Sequence, residues 1–259
     1  MLERNFVKEK LAQGHPVLGT WTTLGSPMAA EVLAHAGLDF QIIDGEHGPF
    51  QLDEVHAYVS RCERHQCSAI VRVPAREDWM ILQALDQGAH GVMVPHVDDA
   101  AQARALVAAA KYPPAGSRGF SPFTRAGGFS NIGAAAYPSR ANAFTLTAIL
   151  VESFQALARL DEILAVPELD VVYFGAYDLS QEAGVPGELS HAKVLKPVTE
   201  AVKRVVKAGK SAGGMVPQSP DEIKRLLDLG MRFITYDVDS ALLFRPARTM
   251  VEWFAKETA

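Results

Sequence analysis

The sequence is poor in cysteine and has no long apolar run. Its 259 residues include two cysteines, Cys62 and Cys67, whose spacing is neither a C-x-x-C pair nor a disulfide framework. Few thiols without a bridging pattern fit a reducing compartment. No window approaches the roughly 18 apolar residues that a membrane-spanning helix needs, and the first residues lack the apolar core of a signal peptide. We therefore expect a soluble, cytoplasmic protein that does not bind a membrane.

Clustered positive charge is also lacking. The net charge is -5 at pH 7, and the 25 lysines and arginines and eight histidines are scattered along the chain. A nucleic-acid-binding domain usually carries a basic patch, so we expect no nucleic-acid partner. The first predicted strand is not followed by G-x-G-x-x-G, which argues against a dinucleotide-binding fold.

Apolar segments of strand length alternate with segments of helical period along the whole chain. The predicted strands are residues 17–21, 40–43, 69–73, 91–94, 146–151, 171–174, 212–215 and 233–236. Eight strand–helix units without a change in composition predict an α/β fold, a (β/α)8 TIM barrel that spans residues 1–259 as a single domain. A doubly wound sheet is the alternative. We expect Asp98 to cap the alanine-rich helix that runs to about Lys111.

Two segments depart from this regular alternation of strands and helices. Residues 112–144 hold glycines, prolines and aromatic residues with little periodicity. A loop of this length is usually functional or disordered, and its aromatic residues and the arginines Arg118 and Arg125 favour an ordered lid or a subunit contact. The last predicted helix, residues 239–257, is interrupted by Pro246 and is unusually apolar for a chain terminus. We expect this helix to dock on a partner subunit.

Ionisable residues follow the predicted strands, at the end of a barrel where active sites lie. Asp44, Glu46 and His47 come directly after the second strand, and a carboxylate beside an imidazole suits proton transfer. A solvated loop is the alternative. Arg72 lies near the end of the third strand, so its guanidinium should point into the barrel mouth, where burial without an anion is costly. A structural salt bridge to Asp44 or Glu46 is the alternative for Arg72.

Two further carboxylates, Glu152 and Asp178, end the fifth and sixth strands. Without a nearby cysteine, or a histidine at ligand spacing, they suit a hard divalent cation such as Mg²⁺ or Mn²⁺. Helix capping is the alternative. Two carboxylates cancel the charge of such an ion, which leaves Arg72 to balance an anionic ligand. A 2-oxo acid offers both a keto oxygen and a carboxylate, and the amides near Gly175, Ala176 and Tyr177 are candidates for holding that carboxylate.

With these residues in place, the chain resembles the HpcH/HpaI family of metal-dependent class II pyruvate aldolases over nearly its full length. The matching segments are residues 19–21, 43–47, 71–74, 88–95, 118–119, 151–152 and 170–180. The resemblance implies that Glu152 and Asp178 hold a divalent metal (Mg²⁺, Mn²⁺ or Co²⁺) that is chelated by pyruvate. Arg72 would stabilise the enolate, and His47, oriented by Asp44, would be the acid/base.

The same resemblance implies a carbon–carbon lyase that makes or breaks the bond between pyruvate and an aldehyde. The matching segments supply the candidate substrate-binding residues, which are Trp21, Gly175, Ala176, Tyr177 and Arg118. Family members are typically hexamers that exchange the last helix between subunits, so the resemblance also implies a homo-oligomer.

Four positions depart from the family's pattern. Leu150 stands where glutamine is common, Tyr177 where the residue is usually small, His96 where methionine is frequent, and Asp237 where glycine is common. The metal ligands and Arg72 are intact, so these departures leave the electrophile open. One alternative is an enzyme that uses oxaloacetate as its enolate source, like siderophore-type citrate synthases or macrophomate synthase. Another is a barrel that binds a metal–acid complex without turning it over.

Overall fold

A computed structural model describes residues 4–216 and 219–258, and its eight parallel strands close into a barrel in chain order. The strands are β1 (Val17–Thr22), β2 (Phe40–Asp44), β3 (Ser68–Arg72), β4 (Gly91–Val94), β5 (Leu146–Val151), β6 (Val171–Phe174), β7 (Ser211–Val216) and β8 (Phe233–Val238). The sheet closes because β8 pairs with β1. The predicted (β/α)8 barrel is confirmed, and every strand lies within two residues of its expected bounds.

Helices connect the strands on the outside of the barrel. They are α1 (Phe6–Ala12), α2 (Pro27–His35), α3 (Val55–Glu63), α4 (Asp78–Asp86), α5 (Ala100–Ala110), α6 (Tyr137–Phe144), α7 (Phe154–Ala158), α8 (Leu160–Leu164), α9 (Ala176–Glu182), α10 (Ala192–Lys207), α11 (Pro220–Asp228) and α12 (Asp239–Glu257). Ser26 begins α2 by accepting the N–H of Ala29 at 3.2 Å, with Pro27 in the first turn. In the described parts of the chain, no helix is long and apolar enough to cross a bilayer.

Inward-facing side chains fill the lower barrel and support the site above. Phe40 and Phe233, which begin β2 and β8, stack with their ring centroids 4.0 Å apart. A β-carbon at Gly19 would lie 2.5 Å from the Phe40 ring, so glycine is needed where β1 passes this aromatic layer. This layer of the floor is therefore apolar, and the charged side chains that line the cavity above it lie at or just beyond the C-terminal ends of the strands.

The capping prediction for α5 is wrong by one residue. Asp99, not Asp98, accepts the N–H of Gln102 at 2.9 Å and starts the helix. Asp98 instead accepts a hydrogen bond from the Ser153 hydroxyl, because Ser153 begins α7 close to the end of β4. The helical connection after β5 is divided into α7 and α8, with Arg159 between them.

The segment 112–136 lies at the barrel end opposite the C-terminal ends of the strands. Barrel helices run antiparallel to the strands, so α3 and α4 end at this opposite face. Arg125 pairs with Glu63, the last residue of α3, at 2.6 Å, and the amide of Ala126 donates to the carbonyl of Asp86, the last residue of α4. The segment therefore does not form a lid over the C-terminal ends of its own strands, whereas a lid over a neighbour's site or a subunit contact stays a prediction.

This segment is ordered by a small core that it shares with α6. The apolar cluster consists of Tyr112 and Ala126 of the segment and Tyr137, Ala141 and Phe144 of α6. Lys111 enters the segment fully buried, and its Nζ donates to the carbonyls of Asn142 and Thr145 at 2.7 and 2.8 Å. Burial lowers the pKa of Lys111 to about 8. The part that lacks sequence periodicity is thus held by long-range contacts.

Helix α12 continues through Pro246, so the predicted interruption is wrong. Of the residues of α12 only Asp239 is buried. Large apolar side chains are exposed along it, namely Leu243, Phe244, Met250, Val251, Trp253 and Phe254. The helix leaves the barrel without covering its own apolar surface.

Candidate active site

A cavity of about 380 Å³ opens at the C-terminal ends of the strands. Side chains from β1, β2, β3, β5, β6 and β8 and the first turn of α9 form its wall. Nine of the ten candidate site residues named from the sequence line this cavity, and Arg118 does not. The closed barrel therefore brings together residues that are far apart in the sequence.

Arg72 is held between two carboxylates at the cavity wall. Its Nε and Nη2 donate to the two oxygens of Asp44 at 2.9 and 2.6 Å, and its Nη1 lies 2.8 Å from Glu46 Oε2. A buried charge is tolerated when it is paired in this way, so the network fixes the guanidinium in one position. The structural salt bridge foreseen as an alternative is present, and the same guanidinium also lines the cavity.

Asp44 orders the turn that carries His47, and it does so through the backbone. Its Oδ1 accepts the N–H groups of Glu46 and His47 at 3.0 and 3.1 Å. Within the described residues the imidazole of His47 has no hydrogen-bond partner. The expected contact between the Asp44 carboxylate and the imidazole is therefore wrong, because Arg72 occupies that carboxylate. The ring of His47 is left facing the cavity and available to a ligand.

Glu152 is a nearly buried acid beside a second acid. Burial raises its pKa, and the negative charges of Asp178 and Glu46 raise it further, while contacts from His96 oppose the shift. A cation between Glu152 and Asp178 would relieve this repulsion. No cluster of three metal-ligating side chains occurs in residues 4–216 and 219–258. Two carboxylates fit a hard divalent cation whose other ligands are water or substrate oxygens.

Gly175 makes room for Glu152. A β-carbon at Gly175 would lie 2.6 Å from the Glu152 β-carbon, so another residue would displace the acid. The amide of Gly175 donates to the Val151 carbonyl at 3.0 Å and is not free to hold a carboxylate, which corrects that part of the prediction. Ala176 and Tyr177 begin α9, where first-turn amides lack partners within the helix.

His96 links the two acidic sides of the cavity mouth. Its Nδ1 lies 2.8 Å from Glu152 Oε1, its Nε2 lies 3.1 Å from Glu46 Oε1, and its backbone N–H donates to Glu152 at 2.6 Å. The residue adopts a left-handed conformation with φ of 53°, which is uncommon for a residue with a side chain. The sequence places His96 at a strand end but does not indicate this double contact.

Trp21 supports Arg72 from below. The guanidinium carbon lies 4.5 Å from the centre of the Trp21 ring, a cation–π contact. The indole N–H donates to the Tyr173 hydroxyl at 3.2 Å, and that hydroxyl is 2.6 Å from Thr235 Oγ1. Burial raises the pKa of Tyr173 to about 12, so the phenol stays neutral. Sequence reasoning missed Tyr173 and Thr235, whose only signal is an inward-facing polar atom on a strand.

Arg118 lies outside the site. Its Nη2 pairs with Asp86 at 2.6 Å, and its guanidinium carbon lies 4.8 Å from the centre of the Tyr112 ring. The residue is almost fully buried at the opposite end of the barrel. Its predicted role in substrate binding within the same chain is therefore wrong, and Arg118 instead anchors the segment 112–136.

The fold and the cavity together define a class of protein. A closed (β/α)8 barrel presents a fixed guanidinium, a free imidazole and a pair of acids to one small-molecule cavity. Such a set can stabilise a developing anion and move a proton, which are the tasks of an enzyme active site.

The chain belongs to the HpcH/HpaI aldolase/citrate lyase family, whose sequence profile matches residues 18–246. It is 37% identical over 251 residues to a hydroxypyruvate/pyruvate aldolase of Roseovarius nubinhibens, covering 96% of each chain. It is 34% identical over 255 residues to a 4-hydroxy-2-oxo-heptane-1,7-dioate aldolase of Salmonella paratyphi C, covering 98% of this chain and 96% of the relative. The family resemblance seen in the sequence is confirmed.

Solved structures agree with this assignment. An HpcH/HpaI aldolase from Desulfitobacterium hafniense matches with a TM-score of 0.91 at 30% identity, over 96% of each chain. A citrate synthase matches at 0.89 and 26% identity over 98% of this chain and 99% of that chain. Macrophomate synthase matches at 0.85 and 27% identity over 100% of this chain and 93% of that chain.

Proposed function

We propose that this chain is a class II aldolase, a metal-dependent carbon–carbon lyase that cleaves 4-hydroxy-2-oxo acids to pyruvate and an aldehyde and catalyses the reverse condensation. The observation that carries the proposal is that Arg72 lines the same cavity as the acids Glu152 and Asp178. The site thus combines a fixed positive charge with a cation-binding pair. The aldolase names of relatives at 34–37% identity over nearly the whole chain support this function.

Glu152 and Asp178 would hold the divalent cation, which we propose to be Mg²⁺, Mn²⁺ or Co²⁺. The fit rests on the donor set, which consists of oxygens only and includes one acid whose pKa is raised by burial and by its neighbouring acids. A cation bound there would act as a Lewis acid that polarises the keto oxygen of the 2-oxo acid.

Arg72 supplies the protein's own stabilisation of negative charge. During cleavage, charge develops on the keto oxygen as pyruvate leaves as its enolate. A guanidinium already fixed by Asp44, Glu46 and Trp21 does not need to reorganise when that charge appears. Proposed contacts to the remainder of the substrate come from Trp21, Tyr177 and the first-turn amides of Ala176 and Tyr177.

His47 is the proposed acid/base. In cleavage its imidazole takes the proton of the 4-hydroxyl as the C3–C4 bond breaks, and the electron pair of that bond passes into the enolate. The aldehyde leaves, and the enolate then takes up a proton at C3 to give pyruvate. Condensation reverses these steps. Support comes from the ring's place at the cavity wall and from its lack of a partner in the described chain.

Exchange of the pyruvate methyl protons with D₂O tests the enolate step without requiring the correct aldehyde. Purified protein with Mg²⁺, Mn²⁺ or Co²⁺ should exchange these protons, and chelation of the metal should stop the exchange. Absence of exchange with all three ions would remove the aldolase proposal. A His47→Ala variant whose ligand affinity and turnover are both unchanged would instead favour the alternative in which the barrel binds a metal–acid complex without catalysis by His47.

A second candidate keeps the enolate and changes its source to oxaloacetate. Tyr177 favours it, because this half-exposed residue lines the cavity at a position where family members usually have a small residue. The likeness to a citrate synthase and to macrophomate synthase at 26–27% identity is compatible with it. Incubation with oxaloacetate and acetyl-CoA distinguishes the two candidates, since release of free thiol is expected only for the citrate synthase reaction.

We also propose that the chain forms a homo-oligomer, a hexamer as in typical family members. The support is α12, whose apolar side chains have little cover from their own barrel. A cytoplasmic location is proposed as well, and the free, buried thiols of Cys62 and Cys67 support it.

A further inference from the structure

His96 lies at the mouth of the cavity, and the described residues that line the cavity do not include it. It follows β4 directly after Pro95, at a position where the family's pattern frequently has methionine. Its side chain is 61% exposed, yet each ring nitrogen lies within hydrogen-bond distance of a carboxylate. The ring is therefore held by polar contacts and not by packing.

Glu152 receives its hydrogen bonds from His96. The backbone N–H of His96 donates to Glu152 Oε1 at 2.6 Å, and Nδ1 lies 2.8 Å from the same oxygen. In the described chain no other residue donates to this carboxylate. A β-carbon at Gly175 would lie 2.9 Å from Oε2, so the backbone there limits movement of the acid on that side. Glu152 is thus fixed through Oε1, and its Oε2 keeps no donor among the described residues.

Glu46 fixes the other end of the ring. Its Oε1 lies 3.1 Å from His96 Nε2, and its Oε2 lies 2.8 Å from Nη1 of the buried Arg72. A ring held at both nitrogens cannot rotate about its Cβ–Cγ bond without losing a contact. A continuous chain of polar contacts therefore crosses the mouth, from Arg72 through this acid and this ring to Glu152.

The backbone of His96 is adapted to the same contact. With φ of 53° the residue is left-handed, a conformation that costs free energy when a side chain is present and that histidine, asparagine and aspartate adopt more often than most residues. Residues strained in this way persist where their surroundings fix them, and they concentrate at functional sites. In this conformation the N–H points at Glu152, so backbone and ring act on one oxygen.

We propose that His96 is a positioning residue that holds Glu152 in the orientation in which this acid binds the divalent cation. The inference rests on the proposed function, in which Glu152 is a cation ligand. Groups that orient a metal ligand commonly change the metal affinity about 10- to 100-fold when they are replaced. Methionine offers no N–H to a carboxylate, so the chain should hold the cation more tightly than its His96→Met variant.

Three substitutions in the full-length protein separate the contacts of the ring. His96→Met removes both and should raise the dissociation constant for Mn²⁺ at least about tenfold. His96→Asn suits the left-handed backbone and carries an N–H near the position of Nδ1, so its constant should stay within about threefold of the original. His96→Gln carries its N–H near the position of Nε2, beyond reach of Glu152, and should bind as weakly as His96→Met.

Electron paramagnetic resonance of free Mn²⁺ gives these constants. The matched control is His15→Met, at an exposed histidine before β1, which should bind Mn²⁺ as the unmodified protein does. Glu46→Ala should weaken binding more in the unmodified protein than in the His96→Met background, because part of its effect passes through the ring. Equal losses in the two backgrounds would contradict that connection.

Pyruvate proton exchange distinguishes positioning from direct catalysis. At Mn²⁺ concentrations well above the raised constant, His96→Met should exchange at a rate within about twofold of the unmodified protein, because mass action refills the site. A rate that stays low at saturating Mn²⁺ would overturn the positioning role.

Unchanged Mn²⁺ affinity in His96→Met would also overturn the inference. His96→Gly provides the same test if His96→Met does not fold, because glycine accepts the left-handed conformation and equally lacks the ring. Glu152→Gln, measured in parallel, separates the two proposals. Weaker binding in Glu152→Gln with normal binding in the His96 variants removes only the role of His96, whereas normal binding in Glu152→Gln removes the proposed cation site as well.

Discussion

Arg72 and Asp44 are register partners on adjacent strands, and their side chains repeat that pairing with two hydrogen bonds of 2.9 and 2.6 Å. A planar guanidinium bound at both oxygens is fixed in position and in rotation, which a single point charge cannot achieve. The positive charge of Arg72 is therefore held in place by the pairing of β2 with β3.

Replacing Arg72 by lysine should keep the charge and lose the two-point pairing. We expect Arg72→Lys to lower the rate of pyruvate proton exchange by about 10²- to 10³-fold, the usual cost of losing a preorganised donor. NMR in D₂O measures the exchange. Arg104→Lys, on the exposed face of α5, is the matched control and should exchange normally. A normal exchange rate in Arg72→Lys would show that the two-point pairing of Arg72 with Asp44 is not required.

Removing either member of the acid pair should weaken metal binding. We expect Glu152→Gln and Asp178→Asn each to raise the dissociation constant for Mn²⁺ at least about tenfold, because even outer-shell substitutions cost this much. Electron paramagnetic resonance of free Mn²⁺ gives the constant directly. Glu188→Gln, which neutralises an exposed acid beyond α9, should bind as the unmodified protein does. Equal affinities in all four proteins would place the cation elsewhere.

Tyr173→Phe should loosen the support of Arg72. The change removes the acceptor for the Trp21 indole N–H and the partner of Thr235, so the free energy of unfolding should fall by about 1–2 kcal/mol. We expect kcat to fall several-fold while KM for pyruvate hardly changes, because the ligand groups remain. Steady-state kinetics and urea unfolding provide the two measurements.

Tyr58→Phe is the control for that substitution. The Tyr58 hydroxyl is buried and has no hydrogen-bond partner among the described residues, and burial raises its pKa to about 12. Removing it should leave kcat unchanged and the stability equal or slightly higher. If Tyr173→Phe behaves like Tyr58→Phe, the proposed support of Arg72 is wrong.

Stability should depend on pH through His90. Burial lowers the pKa of this imidazole to about 4, and its Nδ1 is 3.1 Å from the N–H of Ala69. The folded state holds His90 neutral, whereas the unfolded chain takes up a proton near pH 6.5, so acid favours unfolding. Between pH 7.5 and pH 5 the unfolding free energy should fall by about 2 kcal/mol through this residue.

His90→Asn isolates that contribution, because an amide oxygen can accept the Ala69 N–H but does not titrate in this range. Urea unfolding at both pH values should give a smaller loss for the variant than for the unmodified protein. The same pH dependence in both proteins would assign it to other groups.

Charges introduced on α12 should dissociate the proposed oligomer. Trp253 and Phe254 are 56% and 62% exposed in the single chain, so Trp253→Glu combined with Phe254→Glu should fold normally as a monomer. Light scattering coupled to size-exclusion chromatography reports the mass. Lys256→Glu, a charge change on the same helix, should keep the oligomer. An unmodified protein that is already monomeric would contradict the proposal.

The barrel and most of the site residues can be predicted from the sequence because they depend on local patterns. Apolar runs of four to six residues mark the strands, and residues such as Arg72 and Glu152 follow from their place at strand ends. The segment 112–136 cannot be predicted in this way. Its position depends on ion pairs such as Arg118–Asp86 and Arg125–Glu63, which join residues at least 32 positions apart.

Other features depend on geometry that residue types do not encode. His96 takes a left-handed conformation without being glycine, and its contacts with Glu46 and Glu152 follow from that backbone. Helix α1 has only seven residues, too few for a helical period to be recognised, and it is held because Asn5 donates to the carbonyls of His90 and Phe144. The sequence predicts Asp44 as the partner of the His47 imidazole. The register of β2 and β3 instead places Arg72 beside Asp44, and this register cannot be read from the sequence.

The two chemical tasks proposed for the site come from different halves of the polypeptide. Asp44, His47 and Arg72 lie at the ends of β2 and β3 or just beyond them, whereas Glu152 and Asp178 follow β5 and β6, and the segment 112–136 between the halves lies at the far face of the barrel. A recombination joint placed in that segment would exchange the proposed cation-binding half for one from a homologue and would leave the proposed acid/base half intact. The junction between the two halves would lie far from the reacting atoms. Chimeric barrels joined in this segment could therefore combine the metal preference of one family member with the substrate preference of another.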